Sequence, residues 1–438
     1  MTPGSSVAPE DLAGLRRLLK GLRSEVNELA ADAADVQSRT DRLLELEREQ
    51  VFEQASIAAI PAPRLLSSSI LLEGSASQRL RVRRTRVGKP VERPFSRDIG
   101  VTRCETDAAD VRELWERLLA FEAQCGDDVL RGHRSTILDI PNASVSVAEG
   151  RMVRIAMGQA DAGGPVVAVP RCAYDCAPQK LRNFGHWLLD CVPQIVALWQ
   201  AAPDALFLLP PAAKGFHQST LTLLGISPDR LMPWDGTPLR GSRVLAFESD
   251  GRTGGGRPLS SLMEVRNLMA PPAGWSSVKR TRRIYVSRRD AVPKRRWVVN
   301  EDEVEALFRS RGFEVVVMAE CTLEAQVRLF REACVVAGVS GASFADLVFS
   351  APGIHAVVLI SDSLVRWYAD EAGARSSWAG GRRVAGGQLA ALGDSPRYQA
   401  YVAAALEQRC HMFVAGDQMP VPPLRAFLDE VLAEVDRA

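Results

Sequence analysis

Residues 334–343, CVVAGVSGAS, place a β-branched apolar run directly before a turn of small residues. The run 334–339 predicts a buried strand, and Ser343 marks the predicted start of a short helix. Further strands are predicted at 284–287, 313–318 and 354–360. Apolar strands that alternate with helices predict a parallel sheet covered on both faces, with right-handed crossovers.

The helices of this region carry end signals. Asn300, with Glu303 three residues later, predicts a capping box, and Gly312 is predicted to end that helix. Thr322 predicts the N-cap of a second helix that runs to about residue 333. Two further helices are predicted near residues 397–408 and 423–435.

The chain divides by pattern into four regions. Residues 12–46 repeat apolar side chains every seven positions, which predicts a coiled-coil oligomerisation helix over residues 10–55. The alternative is a single amphipathic helix on the chain's own core. Residues 56–98 predict a linker, residues 99–270 a mixed α/β domain, and residues 271–438 the domain of the parallel sheet with C-terminal helices.

Composition excludes some classes of function. The net charge of the 438 residues is only +1, so no overall field favours nucleic acid or an anionic membrane. Residues 1–10 lack the basic start and apolar core of a signal peptide, and no apolar stretch is long enough to span a bilayer. The expectation is therefore a cytoplasmic protein, with peripheral membrane association through partners at the inner face as the alternative.

The eight cysteines show no tight metal-binding spacing. Cys172, Cys176 and Cys191, with His186 nearby, form the one local cluster, and its spacing is irregular for zinc. The cysteines are interpreted as reduced thiols that act as small apolar residues. No metal and no cofactor are predicted.

A polar pair interrupts the apolar segment NFGHWLLD, residues 183–190. His186 and Asp190 are four residues apart, so a helix would place them on one face, as it would Asn183 and Trp187. The pair either fixes a core or forms part of a site, since buried polar groups must be hydrogen-bonded or used. Pro193 is predicted to kink this helix or to mark its first turn.

Residues 279–296 hold nine cations in a chain that is almost neutral. Arg288 and Arg289 follow the predicted strand 284–287, and ligands of open parallel sheets lie beyond such strand ends. Guanidinium groups there would bind a phosphate, and the small-residue turn 338–343 would offer backbone N–H groups to an anion. Nucleic-acid binding is disfavoured because the cationic run lacks interleaved aromatic residues.

The segment 183–190 resembles the N-F-x-H-W-x-x-D signature of glycosyltransferase family 61. Three further elements follow in the family's order. They are the strand, arginine and Asn-Glu pattern of residues 285–301, the Glu-x-x-Leu-x-x-Gln element that starts at Glu320, and the small-residue run 338–353. Ser340 stands where the family pattern has His, and Asp346 where it has Asn.

This resemblance implies a GT-B fold, with two Rossmann-like domains that face a cleft. It also implies an inverting, metal-independent transfer from a nucleotide-sugar donor to a saccharide acceptor, as in capsule or other surface polysaccharide synthesis. The predicted catalytic residues are His186 and Asp190. Donor binding is predicted for Arg288, Arg296, Glu320, Ser340, Gly341, Ala342 and Ser343, and Asn183 and Trp187 are predicted on the acceptor side.

The expected assembly is a homo-oligomer formed through the coiled coil. The alternative function is that of a non-catalytic relative, a coiled-coil scaffold that binds a saccharide or a nucleotide. The changes at Ser340 and Asp346 favour this alternative, and the intact His186 to Asp190 element opposes it.

Overall fold

The computed structural model describes residues 64–65, 70–73, 75–79, 81–87, 94–131, 135–148, 152–158, 163–170, 183–209, 215–249, 259–271, 273–289, 298–367 and 398–437. The predicted coiled coil 10–55 lies outside these residues, as do Arg296, Cys172 and Cys176. Residues 75–80 belong to a separate compact unit. Its described part is the helix Ala76–Arg79, at whose start Ser75 and Gln78 exchange two hydrogen bonds.

The strands are numbered along the chain. They are β1 Arg64–Leu65, β2 Ile70–Glu73, β3 Arg83–Val87, β4 Ile99–Cys104, β5 Ser135–Ala148, β6 Met152–Met157, β7 Val166–Val169, β8 Leu206–Leu209, β9 Leu231–Pro233, β10 Leu239–Ser249, β11 Arg282–Ser287, β12 Glu314–Val317, β13 Ala333–Val339, β14 His355–Ser361 and β15 Arg409–Ala415.

The second sheet in the chain is parallel throughout its described strands, in the order β12-β11-β13-β14-β15-β4. The predicted strands 284–287, 334–339 and 354–360 are three of its neighbouring members, which confirms a Rossmann-like parallel sheet. Ile99–Cys104 also belongs here, although it falls within the predicted domain 99–270.

The first sheet is mixed, in the order β1-β2-β6-β5-β10-β7-β8-β9, with β3 also paired to β5. β7, β8 and β9 are parallel to β10, but β5 runs antiparallel to β3, β6 and β10. This sheet is therefore not the fully parallel sheet of the predicted Rossmann-like domain. Only three residues join β5 to β6, and so short a connection permits antiparallel pairing alone.

The longer helices bury apolar side chains, and Tyr398–Ala405 is buried along its whole length. The described α-helices of five residues or more are Ala109–Arg131, Val192–Ala201, Gly215–Leu223, Leu259–Leu268, Glu301–Ser310, Leu323–Glu332, Tyr398–Ala405 and Val421–Val435. In the described part of the chain no helix has the length and apolar character needed to cross a membrane.

Two of the predicted helix starts differ in outcome. Thr322 Oγ1 accepts a hydrogen bond from the Ala325 N–H, as expected of an N-cap. Asn300 precedes its helix but makes no capping bond, so the predicted capping box is wrong. Its amide instead exchanges two hydrogen bonds with the backbone of Met419, because tertiary contact has competed with the local cap.

Candidate active site

A cavity of about 580 Å³ lies beyond the carboxyl end of β11. Its lining comes from both halves of the chain. Phe184 and Phe216 contribute one part and meet edge-on, with ring centroids 5.5 Å apart. Arg288, the turn after β13 and the start of the helix Leu323–Glu332 contribute the rest. Strand ends, helix starts and a cation therefore surround one space, as predicted for an anionic ligand.

The helix that carries His186 is irregular. It begins as Phe184–His186, passes through a π-helical turn Trp187–Cys191 and continues as Val192–Ala201. Pro193 lies in the first turn of Val192–Ala201, which confirms the predicted alternative that it marks a first turn. The Gln194 side chain donates to the Asp190 carbonyl at 2.8 Å, which satisfies a backbone group at this irregularity.

The predicted pair forms. His186 Nδ1 and Asp190 Oδ2 lie 2.7 Å apart, and the His186 side chain is 23% exposed whereas that of Asp190 is 7% exposed. The carboxylate therefore holds the imidazole from the buried side. With a proton on Nδ1, Nε2 can accept a proton from a ligand. His186 is not among the described residues that line the cavity.

The two residues predicted on the acceptor side have structural roles here. Asn183 is the N-cap of the helix, and its Oδ1 accepts from the N–H groups of Gly185 and His186. Trp187 is fully buried and packs edge-on against the His217 ring, with centroids 4.4 Å apart. Trp187 thus offers no exposed face on which a sugar could stack.

Close packing joins the two predicted motifs. A Cβ added to Gly185 would lie 3.0 Å from the Cα atom of Ala342, in the turn after β13. Glycine therefore allows the helix start beside His186 to rest directly on the small-residue turn. The His186 element and the turn, about 150 residues apart in sequence, are neighbours in the fold.

Arg288 reaches across the same turn. A Cβ on Gly341 would lie 1.6 Å from Arg288 Nη1, so the guanidinium occupies the space that a side chain at this position would need. The Arg288 N–H donates to Glu301 Oε1 at 2.7 Å. Burial raises the pKa of the Glu301 carboxyl, and the backbone bond from Arg288 opposes this shift. Glu301 thus fixes the backbone from which Arg288 enters the cavity.

Arg289 has a different environment, although it is the next residue. Its guanidinium is bound by two carboxylates, Glu305 and Asp302. The hydrogen bond with Glu305 is the main cause of the raised pKa of Arg289. Arg288 lines the cavity and Arg289 does not, so the structure selects Arg288 from the predicted pair as the phosphate candidate.

The turn contains two kinds of residue. Ala342 and Ser343 line the cavity, at the start of the 3-10 helix Ala342–Phe349. Ser340 is instead fully buried, and its Oγ accepts from Gln399 Nε2 at 2.6 Å. Ser340 therefore faces the core rather than a donor. Gln399 and Tyr398, whose hydroxyl donates to the Gly341 carbonyl at 2.9 Å, support the turn from the predicted helix near residues 397–408. No local pattern indicated this contact.

Two further predicted donor residues have different outcomes. Glu320 is exposed, and it is not among the described residues on the cavity wall, although Met318, Ala319 and Cys321 around it are. Arg296 lies outside the described residues. Sequence reasoning had missed Phe184, Phe216 and the helix start at Thr322 as parts of the wall. Phe184 lies within the segment 183–190 and Thr322 within the element that starts at Glu320, so the motifs themselves were the available signal for these two, whereas Phe216 lies outside every motif.

The local cysteine cluster is not the set of free thiols expected from the sequence. Cys191, buried beside Asp190, is disulfide-bonded, and a disulfide sulfur is not the thiolate that binds zinc. Cys321, on the cavity wall, is a free thiol. Burial is the main cause of its raised pKa, with nearby acidic groups contributing, so this thiol stays protonated.

Residues 184–359 match the protein-family model of glycosyltransferase 61. The matched segment contains the His186 to Asp190 pair, Arg288 and the turn at Gly341. A comparison with curated proteins found no match. The family supports a glycosyltransferase, with a sugar donor and an acceptor as its substrates. The match over residues 184–359 thus supports glycosyltransferase family 61 for this part of the chain.

Proposed function

We propose that the chain is an inverting glycosyltransferase that moves a sugar from a nucleotide-sugar donor to a saccharide hydroxyl, in the synthesis of a surface polysaccharide. The observation that carries this proposal is the packing of the His186 element on the turn that Arg288 crosses. His186, the candidate base, and Arg288, the candidate diphosphate-binding residue, therefore lie on adjoining elements. The family-model match over residues 184–359 supports the glycosyl transfer itself.

The proposed reaction is a single displacement. The acceptor hydroxyl oxygen attacks the anomeric carbon, the bond from that carbon to the diphosphate oxygen breaks, and the hydroxyl proton passes to His186 Nε2. Asp190 keeps the other imidazole nitrogen protonated and stabilises the imidazolium that forms. Arg288 binds the departing diphosphate, whose negative charge increases in the transition state. In the close variant of this mechanism, Asp190 is the base and His186 contacts a phosphate.

A transfer assay with a panel of nucleotide sugars and saccharide acceptors tests this function. We expect turnover with at least one donor and a loss of roughly 100-fold or more in His186→Ala, as is usual when a general base is removed. Thermal unfolding shows whether the variant is folded. Nearly full activity in a folded His186→Ala protein contradicts the base assignment.

Nucleotide binding tests the diphosphate assignment separately. Arg288→Ala should weaken the binding of a nucleoside diphosphate in calorimetry, because the cavity loses a guanidinium that would bind phosphate. Arg289→Ala is the matched control, since its guanidinium is already bound by Glu305 and Asp302. Equal affinity in Arg288→Ala and wild type would refute the assignment.

A non-catalytic binding protein is the second candidate. The observation in its favour is Ser340, which stands where the family pattern has His and is closed into the core by Gln399. A protein of this class would bind a nucleotide or a saccharide but would transfer no sugar from any donor. The same assay panel therefore distinguishes the two candidates.

A further inference from the structure

Asp346 is a buried acid on the cavity wall, and one of its carboxyl oxygens has no hydrogen-bond partner. Asp346 is only 1% exposed, and it lines the same cavity as Arg288 and Ser343. Oδ1 has no hydrogen-bond partner, and within the described residues no ion pair involves this carboxyl. A buried polar atom that the protein leaves unsatisfied calls for an explanation, and a bound ligand is one.

The helix geometry aims this group into the cavity. Ala342–Phe349 is a 3-10 helix, in which side chains three residues apart lie above one another. Ser343 and Asp346 are such a pair, and both line the cavity. With a rise of about 2 Å per residue, Asp346 lies about 6 Å further along the wall than Ser343. The carboxyl thus extends the row of polar groups that begins at the turn.

The buried environment favours the uncharged form of this carboxyl. Burial raises the pKa of Asp346 well above its usual range, because an ionised carboxylate without a partner is strongly destabilised away from water. A protonated carboxyl has one O–H donor and one acceptor oxygen, the same hydrogen-bonding capacity as an amide edge. Burial therefore disfavours the negative charge that the sequence places near the proposed phosphates.

We propose that Asp346 is a binding residue for the nucleotide part of the donor, and that it acts as an uncharged carboxylic acid that donates a hydrogen bond to a ligand oxygen. The proposal rests on the proposed function, because it takes the ligand to be a nucleotide. It adds a group that the turn and Arg288 do not provide, namely a neutral donor further along the same wall.

Two substitutions test the chemistry. Asp346→Asn keeps the size and a donor, whereas Asp346→Leu keeps the approximate size and removes all hydrogen bonding. The ligands are UDP, GDP, ADP and CMP, each measured by calorimetry on the full chain, together with thermal unfolding of every protein. We expect Asp346→Asn to bind within about three-fold of wild type and Asp346→Leu at least ten-fold more weakly.

Thermal unfolding separates a binding role from a structural one. If Asp346 serves the ligand, Asp346→Leu should unfold at the same or a higher temperature than wild type while it loses affinity, since an unsatisfied buried carboxyl does not stabilise the fold. If Asp346→Leu does not fold, Asp346→Ala replaces it in the same comparison.

The outcomes distinguish this inference from the proposed function. If wild type binds no nucleotide, both are overturned. If wild type binds but the apolar variant binds equally well, the inference alone fails. Equal losses in Asp346→Asn and the apolar variant would also overturn it, because they would show that Asp346 acts as a charged acceptor.

Discussion

At the scale of single residues, Gly341 shows how one absent side chain shapes the site. A Cβ on Gly341 would lie 1.6 Å from Arg288 Nη1, so the guanidinium occupies the space that a side chain would need. The backbone at Gly341 is extended, with φ near −179°, so alanine brings no backbone strain. We expect Gly341→Ala to displace the guanidinium and to weaken nucleoside diphosphate binding about ten-fold in calorimetry, with little change in unfolding temperature.

The matched control is Gly163→Ala, since a Cβ there meets nothing within 4 Å. This variant should bind like wild type. Unchanged binding in both alanine variants would mean that the position of Arg288 over the turn is unimportant for the ligand. Weakened binding in both would point to a general loss of folded protein instead.

At the scale of elements, the helix Leu323–Glu332 brings its capped end to the cavity. Thr322 Oγ1 accepts from the Ala325 N–H at 3.2 Å, and Thr322 is itself on the cavity wall. Removing this cap in Thr322→Ala should lower the free energy of unfolding by about 1 kcal/mol in urea denaturation. Thr322→Ser keeps the hydroxyl and should lose only a few tenths of that amount, and an equal loss in both would contradict a capping role.

The elements that the sequence predicted are those with local signals. Apolar runs predict β13 and β14. The Thr322 cap depends on one side chain at the start of its own helix. The capping box at Asn300 failed because Met419, far along the chain, competes for the amide. The role of Gln399 at Ser340 was invisible for the same reason, since a contact over 59 residues leaves no periodic trace.

The site shows the same division. Spacing alone predicted the His186 to Asp190 pair, because an i,i+4 contact is local. The cationic run alone did not separate Arg288 from Arg289, and only the family resemblance favoured Arg288. The environment of Arg289 depends on Glu305 and Asp302 in a neighbouring helix. The raised pKa of Asp346 depends on burial, which only the assembled fold decides.

At the scale of the whole molecule, two histidines link three strands of the second sheet. The Val101 N–H donates to His411 Nδ1 at 3.0 Å, and His411 Nε2 lies 2.9 Å from His355 Nδ1. The strands so joined are β4, β15 and β14. Burial lowers the pKa of His411 to about 3 and also lowers that of His355, so both imidazoles stay neutral in the fold.

This pair predicts acid sensitivity. Below about pH 6.5 the unfolded chain binds protons on these imidazoles that the folded chain rejects, so the free energy of unfolding should fall as the pH drops from about 6.5 towards 3. The slope is at most about 1.4 kcal/mol per pH unit for each proton. Urea denaturation near pH 7 and near pH 5 measures it.

His411→Asn is the comparison for this slope, because the asparagine oxygen can replace Nδ1 as acceptor for Val101 but does not titrate. The variant should lose about 2 kcal/mol less than wild type between the two pH values, even if it is less stable at both. Parallel pH profiles for the two proteins would rule out the histidine pair as the source.

The position of β4 has a consequence for how the chain can be divided. Val101 and its partner His411 are 310 residues apart. The edge strand β4 of the second sheet is therefore synthesised long before the other strands of that sheet. During synthesis on the ribosome, Ile99–Cys104 cannot form its native strand pairing until β15 has been made. A fragment that starts at the apparent domain boundary near residue 271 would leave Arg409–Ala415 as an open edge, which invites edge-to-edge aggregation. Expression fragments of the second sheet therefore need to begin upstream of residue 99.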